Sequence, residues 1–118
     1  MVDGIYGSNA YDFNEIVERG WGTYKILSNE ENYQIRIVIV NPFSSIQNQF
    51  HIKRNEHWVI ISGTVKLFIN GEYKLLHKGE STYIPAGIAH KVINPGGIPL
   101  VMVEIHTGET DESDSVTI

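Results

Sequence analysis

From Tyr33 onward, apolar and polar positions alternate in short runs, the two-residue period of strands with one face buried. Residues 33–40 are dense in β-branched side chains and stop at Asn41-Pro42, where proline cannot donate to a ladder. A second run, 56–62, is closed by Gly63. Residues 64–69 alternate, Asn70-Gly71 is a preferred pair for a two-residue hairpin turn, and 72–76 return. Lys78-Gly79 marks another turn, 81–84 a short strand ending at Pro85, and 90–93 a further strand before Asn94-Pro95-Gly96-Gly97. Residues 100–106 form the last long strand. Short strands about ten residues apart with turn chemistry between them predict a sandwich or barrel. No stretch after Asn32 carries an amphipathic helical pattern, and 15–25, with Arg19-Gly20-Trp21-Gly22, reads as a tight non-helical stretch. The organisation read from this pattern is an N-terminal arm at 1–14, one all-β domain at 15–108 and an acidic tail at 109–118, expected to be solvated from Gly108 to Asp114.

A chain of 118 residues fits one domain. There is no cysteine, so disulfides and thiolate metal sites are excluded and any metal must take nitrogen and oxygen ligands. The net charge is −5, and no basic run offers a track for phosphate backbones, so nucleic acid is not expected as a partner. The start of the chain lacks a signal-peptide pattern, and the longest apolar run, 35–40, is interrupted by Arg36 and far too short to span a bilayer. The expectation is a soluble, cytoplasmic protein with no membrane partner.

Four side chains have the spacing of a metal site. Gln49 and His51 are two apart and share one face of a strand. Glu56 opens the next strand after the short connection 52–55, and His90 opens another after Pro85-Ala86-Gly87. Two imidazoles, a carboxylate and an amide oxygen suit one divalent ion such as Zn, Mn, Co, Ni or Fe. Trp58 and Ile60 share the face of Glu56 and would wall the pocket. Parity also places Leu100, Met102, Glu104 and His106 on one face. If that face is interior, Glu104 and His106 are the candidate catalytic acid–base groups, and His106 is equally readable as a rim histidine bonded to a neighbour. Tyr83 is a candidate substrate contact or a packed aromatic, while His57 points outward and His77 sits in a turn.

Gly79, Pro85, Gly87, His90 and Asn94 match the second cupin motif, G-x5-P-x-G-x2-H-x3-N, at every fixed position. Gln49, His51, Glu56 and Gly63 match the first, H-x-H-x4-E-x6-G, with glutamine in the first histidine place. The stretches Glu56-His57-Trp58, Ser62-Gly63-Thr64 and Glu80-Ser81-Thr82-Tyr83-Ile84-Pro85-Ala86-Gly87 resemble the C-terminal cupin domain of type II phosphomannose isomerases. Arg19-Gly20-Trp21-Gly22-Thr23-Tyr24 is similar to that family's R-P-W-G-x-Y, and the resemblance runs from Arg19 to Gly108. It implies a single-domain cupin, a jelly-roll barrel of double-stranded β-helix type. It also implies a divalent metal on Gln49, His51, Glu56 and His90, and interconversion of mannose 6-phosphate with fructose 6-phosphate. The guanylyltransferase half that usually precedes this domain in the family is not in the chain, and no nucleotide chemistry is expected of it.

The chain departs from the family at Gly20, at Arg36-Ile37, at Ile52-Lys53 and in the tail Asp114-Ser115-Val116-Thr117-Ile118. A phosphosugar needs cationic partners, and the substrate-binding candidates are Arg19, Arg36, Lys53 and Arg54, with Tyr83. The alternative reading is a noncatalytic or differently catalytic metal-binding cupin that recognises a sugar or small acid. An apolar outer sheet and the N-terminal arm point to a homodimer.

Overall fold

The computed structural model describes residues 15–108 and 115–117, which hold eleven strands and no helix. In chain order these are β1 (Val17–Arg19), β2 (Gly22–Asn29), β3 (Tyr33–Val40), β4 (Ser45–His51), β5 (Arg54–Ser62), β6 (Val65–Ile69), β7 (Glu72–Leu76), β8 (Ser81–Ile84), β9 (His90–Ile93), β10 (Leu100–Gly108) and β11 (Ser115–Thr117). They pair antiparallel throughout, as two sheets ordered β1-β2-β3-β10-β5-β8 and β11-β4-β9-β6-β7. This is the cupin jelly roll. No helix among the described residues is long and apolar enough to cross a membrane.

The turns follow from local chemistry. Asn70 and Gly71 both take positive φ, 51° and 80°, which a two-residue hairpin between Ile69 and Glu72 requires. Gly63, at φ 83°, lies so close to the β10 entry that an added Cβ would sit 2.8 Å from the Pro99 carbonyl oxygen. Asn94, buried after β9, ties the two sheets together. Its Nδ2 donates to the carbonyls of Val40 (3.0 Å), Asn41 (3.1 Å) and Ile98 (2.9 Å), and its Oδ1 accepts from Gly96 N at 3.0 Å.

The interior is divided along its length. The core is Val38, Val40, Trp58, Ile60, Val65, Leu67, Leu76, Ile84, Val92, Leu100 and Met102. Register aligns Leu100 with Val40, and Met102 with Val38 on one side and Ile60 on the other. Two residues on, Glu104 faces Arg36 and Trp58, and His106 faces Gln34 and Glu56. β3 and β10 therefore change from apolar to polar at one level, and β5 follows one pair later, past Trp58, at Glu56. Burying each large aliphatic below that level stabilises the fold by about 1.5–3 kcal/mol, which sets the platform for the polar side chains above it.

The opposite face of the same strands is also apolar. Ile35, Ile37 and Ile39 of β3, Val101, Val103 and Ile105 of β10, and Val59 and Ile61 of β5 alternate with the interior residues, and Val59, Ile61 and Ile105 are exposed.

Two stretches differ from the sequence reading. The tight segment at 15–25 hides a β1–β2 hairpin whose strands meet at Arg19 and Gly22, because turn residues dominate its composition. Ser115–Thr117, grouped with the tail, forms an edge strand on β4. The proposed arm, 1–14, and residues 109–114 of the tail lie outside the described residues.

Candidate functional site

A cavity of about 160 Å³ lies at the polar level between the sheets, lined by side chains from both. One wall comes from β4, where the ladder with β9 shifts register between Ile46 and Gln49. Ile46 faces Val92 and Gln49 faces His90, so β4 holds one more residue than β9 over this span. That β-bulge is why Ile46 and Gln49, three apart, both line the cavity. His51 ends the strand and is buried.

His51, Glu56 and His90 each offer a donor atom, all within 4.8 Å of one another and all buried. His51 Nε2 lies 2.9 Å from Glu56 Oε2, and the two imidazole centroids are 5.2 Å apart. The rings are held from behind. His90 Nδ1 is 3.1 Å from the Ile88 carbonyl, which can only accept, so Nδ1 carries the proton and Nε2 keeps its lone pair. His51 Nδ1 is 3.0 Å from Ser115 Oγ. Glu56 is held on both oxygens: Trp58 Nε1 donates to Oε1 at 2.7 Å and Arg54 Nε donates to Oε2 at 2.9 Å.

This donor set fits a first-row divalent ion, with two imidazole nitrogens and a carboxylate converging and Gln49 lining the same cavity. Arg54 Nη2 stands 3.2 Å from His51 Nε2. With Nε2–H donating to Glu56 Oε2 at 2.9 Å, no lone pair is left there for the guanidinium, and Arg54 would have to move aside for an ion on that nitrogen.

A second cluster adjoins the first. His106 Nε2 is 2.8 Å from Glu104 Oε1 and 3.4 Å from Glu56 Oε1, and its Nδ1 is buried without a hydrogen-bond partner among the described residues. Burial works against ionisation of Glu56, but His106, His51 and Arg54 together outweigh it and hold the carboxyl well below its usual value of 4.5. Burial lowers the His90 pKa from its usual 6.5, and the attraction of Glu56 offsets only part of that.

Cations line the same cavity on β1 to β3. The Arg36 guanidinium sits 4.5 Å and the Arg19 guanidinium 5.4 Å from the centre of the Tyr24 ring. Arg36 is oriented by Gln34, whose Oε1 accepts from its Nε at 3.0 Å.

Of the residues singled out in the sequence, Gln49, Glu56, His90, Glu104, His106, Arg19, Arg36 and Arg54 line the cavity, and His51 joins through the donor cluster. Lys53 and Tyr83 are not in its wall. Lys53 is exposed in the β4–β5 connection. Tyr83 is 47% exposed on the outer face, its ring 4.4 Å from His57, because it alternates out of phase with the buried Thr82 and Ile84. Tyr24, Gln34 and Ser115 escaped functional assignment from sequence. Gln34 was accessible by parity with Arg36. Ser115 carried no signal, since it reaches the site through a pairing between segments 64 residues apart.

Residues 6–118 match the family model described as Mannose-6-phosphate isomerase C-terminal. Mannose-1-phosphate guanylyltransferase ManC of Salmonella typhimurium is 41% identical over 110 residues, which cover 93% of this chain and 23% of that protein. The chain thus spans less than a quarter of the length of that relative. Capsular polysaccharide assembling protein CapF from Staphylococcus aureus superposes with a TM-score of 0.78 at 18% identity, over 88% of this chain and 34% of that one. A conserved protein with a double-stranded β-helix domain from Klebsiella pneumoniae superposes with a TM-score of 0.75 at 18% identity, over 93% and 96% of the two chains. At such identities the structural likeness speaks for the fold alone.

Proposed function

The chain belongs to the mannose-6-phosphate isomerase C-terminal family, and on that premise we propose that it is a metal-dependent sugar-phosphate isomerase of the mannose 6-phosphate to fructose 6-phosphate type. The observation that carries this reading is one cavity holding both the His51–Glu56–His90 donor set and the Arg19–Tyr24–Arg36 stack. On their sheet β3 and β5 are separated by β10 alone. That is two inter-strand spacings, about 10 Å, the scale of a hexose phosphate.

The reaction moves a proton between adjacent carbons. A divalent ion on His51, Glu56 and His90, with Gln49 as a further ligand, would supply Lewis-acid polarisation of the carbonyl. The chain's own residues do the rest. Glu104 and His106 line the cavity 2.8 Å apart, Nε2 to Oε1. The Glu104 carboxylate is the base that takes the carbon-bound proton, and the His106 Nε2–H holds it in place. Arg19 and Arg36 orient the phosphate end.

Lys53 lies outside the cavity, so one cation of the expected set is missing. A charge-assisted hydrogen bond to phosphate is worth roughly 1.5–3 kcal/mol, so weak phosphosugar binding is expected. This favours, as a second reading, a metal-binding cupin that recognises a sugar or small acid. A coupled assay for fructose 6-phosphate, with Zn, Co and Mn supplied in turn, separates the two. Turnover that chelation and Glu104→Gln both abolish supports the isomerase. Absence of turnover above a metal-only control in every case leaves the binding protein. The proposal includes a homodimer formed through the apolar outer face of β3, β10 and β5.

A further inference from the structure

The strand that supplies His51 and Gln49 would be an edge strand without β11, because β4 is bonded on its other side to β9. The cover is in register with both candidate ligands: Ser115 pairs with His51, Val116 with Phe50 and Thr117 with Gln49. At the first of these pairs Ser115 Oγ reaches His51 Nδ1 at 3.0 Å, and Ser115 also lines the cavity.

We propose that Ser115 is a positioning residue for His51, holding the imidazole in its ligating orientation with and without an ion, so that the C-terminal strand is part of the metal site. This rests on the reading of His51 as a ligand. A serine is suited to the task because its hydroxyl both donates and accepts. Without an ion, His51 Nε2 lies 2.9 Å from Glu56 Oε2, an arrangement that places the proton on Nε2 and leaves Nδ1 to accept from Ser115. Ligation through Nε2 needs the opposite tautomer, with Nδ1–H donating to the same oxygen. Rotation of one hydroxyl serves both, and the ring need not turn.

The experiment is a competition titration of zinc against a chromophoric chelator, run on the full chain and on Ser115→Ala and Ser115→Thr, with thermal melting of each metal-free protein as the folding control. Loss of a partner behind a ligating histidine typically weakens metal binding 10- to 100-fold. Ser115→Ala is expected to fall in that range, and Ser115→Thr, which keeps the hydroxyl, to return to within a few-fold of the parent. Equal zinc affinity in the parent and Ser115→Ala overturns the proposal and leaves the ligand set standing. A parent that binds no zinc overturns both. A second measurement needs no metal: the two imidazole nitrogens of His51 are followed by nitrogen NMR in the apo proteins. A single dominant tautomer in the parent should become a mixture in Ser115→Ala, and an unchanged spectrum counts against the proposal whatever the fold stability of the variant.

Discussion

Trp58 donates its indole N–H to Glu56 Oε1 at 2.7 Å, so a core aromatic and a cavity carboxylate two residues apart on one strand are joined directly. The ring is 2% exposed and anchored among aliphatics, so it fixes the carboxylate more firmly than a flexible donor would. Trp58→Phe should cost about 2–4 kcal/mol of folding stability, from the lost bond to a charged group and the lost volume. Urea denaturation of the metal-free protein measures this, and a change below half a kilocalorie would show that the bond contributes nothing net.

His90→Ala should abolish tight metal binding. It removes one of the donors that converge within 4.8 Å, and the loss should exceed the 10- to 100-fold typical of residues one shell further out. Isothermal titration with zinc or cobalt reads it. Retention of the parent affinity would remove His90 from the ligand set.

Stability of the metal-free protein should fall toward acid in two stages. His90 has a folded pKa below its usual 6.5, so as pH drops below that value the unfolded chain takes up a proton that the folded chain resists, and stability declines. Glu56 has a folded pKa depressed well below 4.5, so its contribution is present above that value and is lost as pH falls through the depressed one. Urea midpoints taken from pH 8 down to pH 3 in the presence of chelator should therefore slope below about 6.5 and steepen below about 4.5. Glu56→Gln should remove the second stage while keeping the first.

Asn94→Ala should destabilise by about 3 kcal/mol, since it strips bonds from three main-chain carbonyls at the junction of the sheets. Thermal melting is the measurement, and a shift of under two degrees would mean that water replaces the amide.

Val103→Lys tests the dimer. Val103 lies opposite Ile37 and Val59 at the centre of the aliphatic outer face, so a charge there should yield a monomer by light scattering at micromolar concentration. A parent that is itself monomeric would dispose of the dimer.

Much of the barrel was legible because its strands obey simple rules. The run 33–40 has strict alternation between interior and outer residues, and Asn70-Gly71 specifies its own turn. Glu56, Glu104 and His106 followed from parity with core residues on regular strands, and His90 from its place at the head of a strand after Pro85-Ala86-Gly87. Other features were hidden. The β4 bulge lets Ile46 and Gln49 share a face, which period-two counting denies. Tyr83 looked available to a ligand, yet the two buried neighbours that flank it force it outward. The contacts of Arg54 with His51 and Glu56 depend on a turn whose geometry no pattern of side chains encodes.

The level at which β3 and β10 turn from aliphatic to polar, with β5 following one pair later, separates two heritable properties of the chain. Substitutions below it, at Val38, Met102 or Ile60, decide whether the barrel exists. On the proposed function, substitutions above it, at Arg36, Glu104 or His106, change what the barrel recognises and leave the aliphatic floor in place. A lineage carrying this domain can therefore exchange one ligand for another by a few replacements at the mouth, without passing through an unfolded ancestor.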